Sequence, residues 1–172
     1  MKDNQPTSAS VLAIESRLAA NQRRRHDFPR DQAGVVRLVK LLHKLFNDNA
    51  NALLREYGLT HPEYNVLIII DSSEHGLGPS ELAEATSEKA ANITRLVDQL
   101  IDKGLVVRVA DAEDRRRLSV CLTPAGEELI VRVLPAISTQ LQGFLAELDE
   151  SECGQLQQLL SKVIGSVEGK TL

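Results

Sequence analysis

Two side chains three residues apart, Asn92 and Arg95, carry the most specific chemistry of this chain. An asparagine amide sets a donor beside an acceptor, which matches the major-groove edge of adenine. A guanidinium matches guanine or a phosphate, and a small residue such as Ala91 can touch a thymine methyl. Lys89 and Thr94 add polar contacts around them, and Ala90 and Ala91 keep this stretch slim enough for its backbone to sit deep in a groove. About twenty residues on, Arg115, Arg116 and Arg117 follow Asp111, Glu113 and Asp114. Three guanidiniums at one loop suit a narrow minor groove, whose negative potential attracts them. Asp114 is placed to orient one of the arginines through a charge-assisted bond.

These side chains need elements to hold them. At helical spacing from Lys89, Ile93, Leu96, Val97, Leu100 and Ile101 gather on one face, which is predicted to be buried. Asn92 and Arg95 fall on the opposite face, and Gly104 closes the helix. Before it, Pro79–Thr86 reads as a short helix with proline in its first turn. After it, Leu105–Val109 and Leu118–Leu122 read as strands of a hairpin whose loop carries the arginines. Two helices in tandem followed by such a hairpin have the layout of a winged helix-turn-helix. The expected partner is a double-stranded DNA operator.

The flanking sequence is helical. Ala9 to about Arg25 has Val11, Ile14 and Leu18 at helical spacing and ends in Arg23-Arg24-Arg25, before Pro29 punctuates. Residues 31–57 carry a wide apolar stripe of Val35, Leu38, Leu41, Leu42, Leu45, Ala52 and Leu53, stopped by Gly58. Thr60 and Glu63 form a capping box for a helix that is apolar nearly all round and is expected to be central. Thr123-Pro124 opens a helix to about Leu148, which Pro135 kinks or divides. Asp149 and Glu152 cap a last helix to about Val167, with Leu156, Leu159, Leu160, Val163 and Ile164 along one face. The expected fold is mostly α with a small β-hairpin wing. Residues 58–122 form the winged domain, 31–57 and 123–168 a helical dimerisation domain, and 1–30 an N-terminal extension. Apolar stripes at both ends point to a homodimer, which buries more of them than a monomer does.

Composition narrows the class. The chain has 172 residues, 42% hydrophobic and 3% aromatic, with 20 basic against 24 acidic side chains and a formal net charge of −4. That balance excludes a histone-like binder that is basic throughout, but a site-specific binder needs positive charge only at its contact face. No apolar run is long enough to span a membrane and no secretory signal is visible, so a cytoplasmic protein is expected. Cys121 and Cys153 match no zinc or dithiol spacing and are expected to be reduced.

The series Thr94-Arg95-Leu96-Val97-Asp98-Gln99-Leu100, Lys103-Gly104-Leu105-Val106, Asp114-Arg115-Arg116 and Leu122-Thr123-Pro124-Ala125-Gly126 closely resembles the MarR family of bacterial transcriptional regulators, over about residues 31–168. Arg25-His26-Asp27-Phe28-Pro29 resembles the subgroup that represses multidrug efflux operons. The resemblance implies a homodimeric repressor on a pseudo-palindromic operator, with Arg116 in the minor groove. It also implies release by a small aromatic or phenolic effector in a cleft between the dimerisation helices and the winged lobe. Arg37, His43, His61 and Tyr64 lie on the helices that would flank that cleft. The absence of Trp counts against the family's urate-responsive branch, and neither cysteine lies where the redox-sensing branch carries one.

Other classes have less support. Four scattered histidines, with no HExxH, paired-cysteine or glycine-rich phosphate motif, give no catalytic constellation, and neither a cofactor nor a metal is expected. A metal-responsive DNA-binding regulator is the better rival, because His and Glu from different helices can converge. A helical protein-interaction module is the third reading, and it has no need of the arginine tip.

Overall fold

The computed structural model describes residues 8–110 and 118–170. Its elements run α1 (Ala9–Arg24), α2 (Arg30–Leu54) with a 3-10 turn at Arg55–Tyr57, α3 (His61–Asp71), α4 (Pro79–Thr86), α5 (Ala90–Asp102), β1 (Val106–Ala110), β2 (Leu118–Leu122), α6 (Pro124–Phe144) and α7 (Glu150–Glu168). Among the described residues, helices and one two-stranded antiparallel hairpin make up the fold. The chain divides into two compact units, Met1–Ala52 and Leu53–Leu172.

In the first unit, Ser8 caps α1 by accepting from the Val11 amide at 3.3 Å. Arg23 and Arg24 occupy its last turn, where cations complement the helix dipole. A turn at Arg25–Pro29 leads into α2. An ion pair of 2.5 Å between Arg30 and Glu15 ties the two helices together, and buried Leu18 packs against Gly34. Val35, Val36, Leu38, Val39, Leu42 and Leu45 of α2 are exposed.

In the second unit, α3, α4, α5 and β2 enclose the core. Val66, Leu67, Ile70, Leu82, Ile93, Leu96, Leu100 and Val120 are fully buried in it. The capping box at α3 forms as its residues predict, with Thr60 accepting from the Glu63 amide and Glu63 accepting from the Thr60 amide. The hairpin pairs Val106 with Leu122 and Ala110 with Leu118. Leu77 adds a bridge to Val120 on the free edge of β2. Gly76 makes that approach possible. Its φ is +73°, and an added Cβ would lie 2.5 Å from Cys121 Sγ and 2.6 Å from the Val120 carbonyl. Thr123 closes the hairpin base through the Gly104 carbonyl and caps α6 through the Gly126 amide. Gly126 is there because its Cα faces the Leu105 carbonyl, 2.2 Å from where a Cβ would sit.

Some boundaries differ from the sequence reading. Lys89 and Lys103 cap α5 and are not part of it, and β1 begins at Val106, since Leu105 still bonds back to the Leu100 carbonyl. Pro135 lies inside α6 and does not divide it. The carbonyl it deprives of a partner belongs to Val131, which is 69% exposed, so water can satisfy it. α6 ends at Phe144 and turns, rather than helix, run to Leu148. α7 buries none of its residues, and Leu156, Leu159, Leu160, Val163, Ile164 and Val167 remain exposed. Among the described residues no helix is long and apolar enough to cross a membrane.

Candidate nucleic-acid interface

α5 is strongly two-faced. Ile93, Leu96, Val97 and Leu100 are buried, and Ile101 is half-buried at the margin. The sequence-predicted contacts lie on the other side: Lys89, Ala91, Thr94 and Arg95 are exposed and Asn92 is half-buried. The helix is anchored at its far end and open at its near end. Lys103 donates to the Gly58 carbonyl at 2.8 Å and to Glu63 Oε1 at 2.6 Å, tying the end of α5 to the start of α3. Asp98 pairs with Arg108 at 2.7 Å, which fixes α5 to β1.

Glu63 is 3% exposed, and both its oxygens are engaged. Burial is the largest influence on its carboxyl and pushes its pKa up. The Lys103 hydrogen bond, the Thr60 amide and hydroxyl bonds and the Lys103 charge together outweigh it and hold the pKa below the ordinary value.

The near end of α5 has different chemistry. Thr60, Thr123 and Asp149 cap α3, α6 and α7 with their side chains. Lys89 contributes no side-chain cap to α5. The Lys89 carbonyl takes the amides of Asn92 at 2.8 Å and Ile93 at 3.1 Å. Among the described residues no side chain caps this helix N-terminus, where an anion such as a phosphate can meet it from the Lys89 side. Along the outer face a chain of side-chain bonds runs from Glu88 through Asn92 and Arg95 to Gln99. The partners of Arg95 are neutral amides, so its charge stays available to an anion.

Sequence reasoning placed Asn92 and Arg95 on this face but gave Glu88 no role. The signal was there, since Glu88 and Asn92 are four residues apart and so are Arg95 and Gln99. Asp114, Arg115, Arg116 and Arg117 lie outside the described residues.

Of the four effector candidates, Arg37 and His43 are exposed on α2, where the His43 ring bonds the Asn47 amide at 2.8 Å. His61 is half-buried and Tyr64 buried on α3. Burial first, and then the nearby Asp71 charge, raise the Tyr64 phenol, which keeps it a neutral donor. A separate cleft of about 510 Å³ is lined by Asp71, Ser73, Glu74, Cys121 and Glu127 among others. Three carboxylates make it a poor host for an organic acid. Cys121 and Cys153 are free thiols. Among the described residues no three His, Cys, Asp or Glu side chains converge as ligands for a metal ion.

The MarR family signature matches residues 57–117, a stretch that includes α3, α4, α5 and β1. The transcriptional repressor MprA of Escherichia coli K12 is 30% identical over 161 residues, covering 93% of this chain and 92% of its own. Among solved structures, wild-type MarR from E. coli in its apo form superposes with a TM-score of 0.63 at 27% identity, over 74% of this chain and 94% of that one. The Staphylococcus aureus MepR–DNA complex gives 0.71 at 23% identity, over 76% and 94%, and shares the fold. With the two-faced α5 and the hairpin behind it, these likenesses settle the class: the chain belongs to the MarR family, as a DNA-binding winged helix-turn-helix repressor of transcription.

Proposed function

We propose that this repressor acts as a homodimer on a pseudo-palindromic operator and leaves it when a small aromatic or phenolic effector binds. In this reading residues 58–122 read DNA, and 31–57 and 123–168 carry the dimer contact, with 1–30 an N-terminal extension before them. Each protomer lays α5 in a major groove. Lys89, Ala91, Asn92, Thr94 and Arg95 face the duplex there, and the wing loop sets Arg115, Arg116 and Arg117 against the adjacent minor groove, with Asp114 orienting one of them.

The observation that carries the DNA half is the open, unburdened N-terminal half of α5 opposite a fully buried face. Support for the dimer comes from apolar side chains of α2 and of α7 that the single chain leaves in water. The effector half rests on the family resemblance and on side chains of suitable chemistry. The Arg37 guanidinium can pair with a carboxylate, His43 and His61 can hydrogen-bond it, and the Tyr64 phenol can stack or donate. An effector that favours a spacing other than one DNA turn between the two α5 helices competes with the operator, and the coupling is reciprocal.

A gel shift against the promoter region adjoining this protein's own gene, repeated with a panel of aromatic acids, tests the whole reading. It expects a retarded complex, weakened steeply by salt, and dissolved by at least one acid. Arg116→Ala is expected to bind more weakly at physiological salt while its thermal unfolding is unchanged. Unchanged affinity of Arg116→Ala removes the wing from the reading.

A further inference from the structure

We propose that Glu88 is a positioning residue for base reading: held by the turn between α4 and α5, it fixes the amide of Asn92 in the single orientation that presents a donor and an acceptor outward. The inference deepens the DNA reading above and rests on it.

The turn holds Glu88 firmly. Ser87 ends α4 in the left-handed region at φ 56°, and the Glu88 amide then donates to the Ala83 carbonyl at 3.0 Å. From that anchored backbone, Glu88 Oε2 accepts from Asn92 Nδ2 at 2.6 Å. On the other side, Arg95 Nη2 donates to Asn92 Oδ1 at 2.6 Å, while its Nη1 donates to Gln99 Oε1 at 2.9 Å. The amide nitrogen therefore points to the start of α5 and the amide oxygen to its end. Turning the amide over would set its oxygen against the Glu88 carboxylate and its N–H groups against the Arg95 guanidinium. Two charges of opposite sign thus exclude the flipped form.

The count of hydrogen-bonding sites makes this useful. A primary amide has two N–H donors and two acceptor lone pairs. Glu88 and Arg95 take one of each and leave one of each. An adenine edge asks for that pair, an acceptor for its N6–H and a donor for its N7. Fixing the order of donor and acceptor along α5 fixes which strand carries the adenine. The placement also accounts for a carboxylate on a face that meets phosphates. Its charge opposes DNA binding in general and sharpens the choice of base.

The test uses full-length protein and a duplex that the wild type selects from a random-sequence pool. Affinities are measured for that duplex and for versions with each base pair inverted. Wild type is expected to prefer one A·T pair per half-site over its inversion by roughly tenfold or more. Asn92→Ala should lose that preference. Glu88→Ala should bind all duplexes more tightly, having lost a negative charge, yet lose most of the preference at the same base pair. Glu88→Gln keeps an acceptor and should regain the preference while still binding more tightly. Glu88→Ala together with Asn92→Ala should discriminate no worse than Asn92→Ala alone.

If Asn92→Ala keeps the wild-type preference, the assignment of Asn92 to DNA fails, and this inference with it. If Asn92→Ala loses the preference but Glu88→Ala keeps it, only the positioning role fails. If Glu88→Ala and Glu88→Gln both change preference at a different base pair, Glu88 contacts a base itself, and the proposal is overturned. Circular dichroism of Glu88→Ala should match wild type. A loss of helix in it would move the decision to Glu88→Gln alone, whose loss of preference would overturn the proposal.

Discussion

The winged lobe and the last helix solve the problem of apolar surface in opposite ways. In the lobe, Leu67, Leu82, Ile93, Leu96 and Leu100 are out of water entirely. In α7, Leu159, Val163, Ile164 and Val167 are about half exposed or more, and no residue is buried. Both stretches have helical periodicity and similar residue types. What differs is the supply of neighbours. α3, α4, α5 and β2 surround one another, whereas α7 presents its stripe with too little of the chain to cover it. The lobe is complete by itself, and α7 awaits a partner surface, which the proposed second copy would supply.

The largest expected effect separates the two regions outright. Leu159→Glu with Ile164→Glu should give a monomer in analytical ultracentrifugation. Operator affinity should fall by about 100-fold or more as the two lobes lose their link. Wild-type melting should rise with protein concentration and that of the double variant should not. A double variant that stays dimeric would break the comparison.

Leu100→Ala, within the closed core, should cost about 3 kcal/mol of stability in denaturant unfolding, through lost burial and the cavity left behind. The cost should be the same in wild-type and Leu159→Glu, Ile164→Glu backgrounds, since the lobe does not depend on the dimer for its core.

A smaller effect is expected at the tie between α3 and α5. Glu63→Gln removes the charge that Lys103 meets and should cost about 1.5–3 kcal/mol at neutral pH. The sign of its pH dependence follows from the lowered carboxyl. Its stabilisation is present above the ordinary carboxylate value of 4.5 and is lost as pH falls through and below it. The difference between wild type and variant, followed by urea unfolding, should therefore shrink in acid.

The smallest effect is at the turn between α4 and α5. Ser87 holds a left-handed conformation that disfavours a side chain. Ser87→Gly should stabilise by about 0.5–1 kcal/mol after its entropic cost in the unfolded chain. A melting temperature that falls would show that the Ser87 side chain does more for the turn than its backbone angle suggests.

What the sequence made legible was local. The Thr60–Glu63 box, the Thr123 and Asp149 caps and the buried face of α5 depend on residues within one or two turns of each other. Their physics is therefore written in short spacings. The Lys103 bridge to Glu63 joins residues 40 apart, and no spacing rule announces it. Lys103 stood out in the sequence only as part of a family motif, and the fold shows its task as a clamp on α5. At Pro135 the sequence left a kink or a break open, and the fold keeps the helix undivided. The propensity of proline against helix is real, but exposure of the carbonyl it orphans decides the outcome, and exposure is a tertiary property. On the reading face, Asn92 and Arg95 were visible as chemistry. Their bonds to Glu88 and Gln99 follow four-residue spacings, but Glu88 lies before the start of α5, and its anchoring by the turn is supplied by the fold.

The central claim is that two copies of this lobe each present the outer face of α5 to a major groove. Photo-crosslinking tests it most directly. Ala91→Cys, carrying a short photoreactive group in a Cys121→Ser, Cys153→Ser background, is irradiated on the selected duplex, with Val131→Cys on α6 as the control. Ala91→Cys is predicted to mark bases at two sites about 10 base pairs apart, one helical turn, and Val131→Cys to mark none. Adducts no more frequent from Ala91→Cys than from Val131→Cys would contradict the claim.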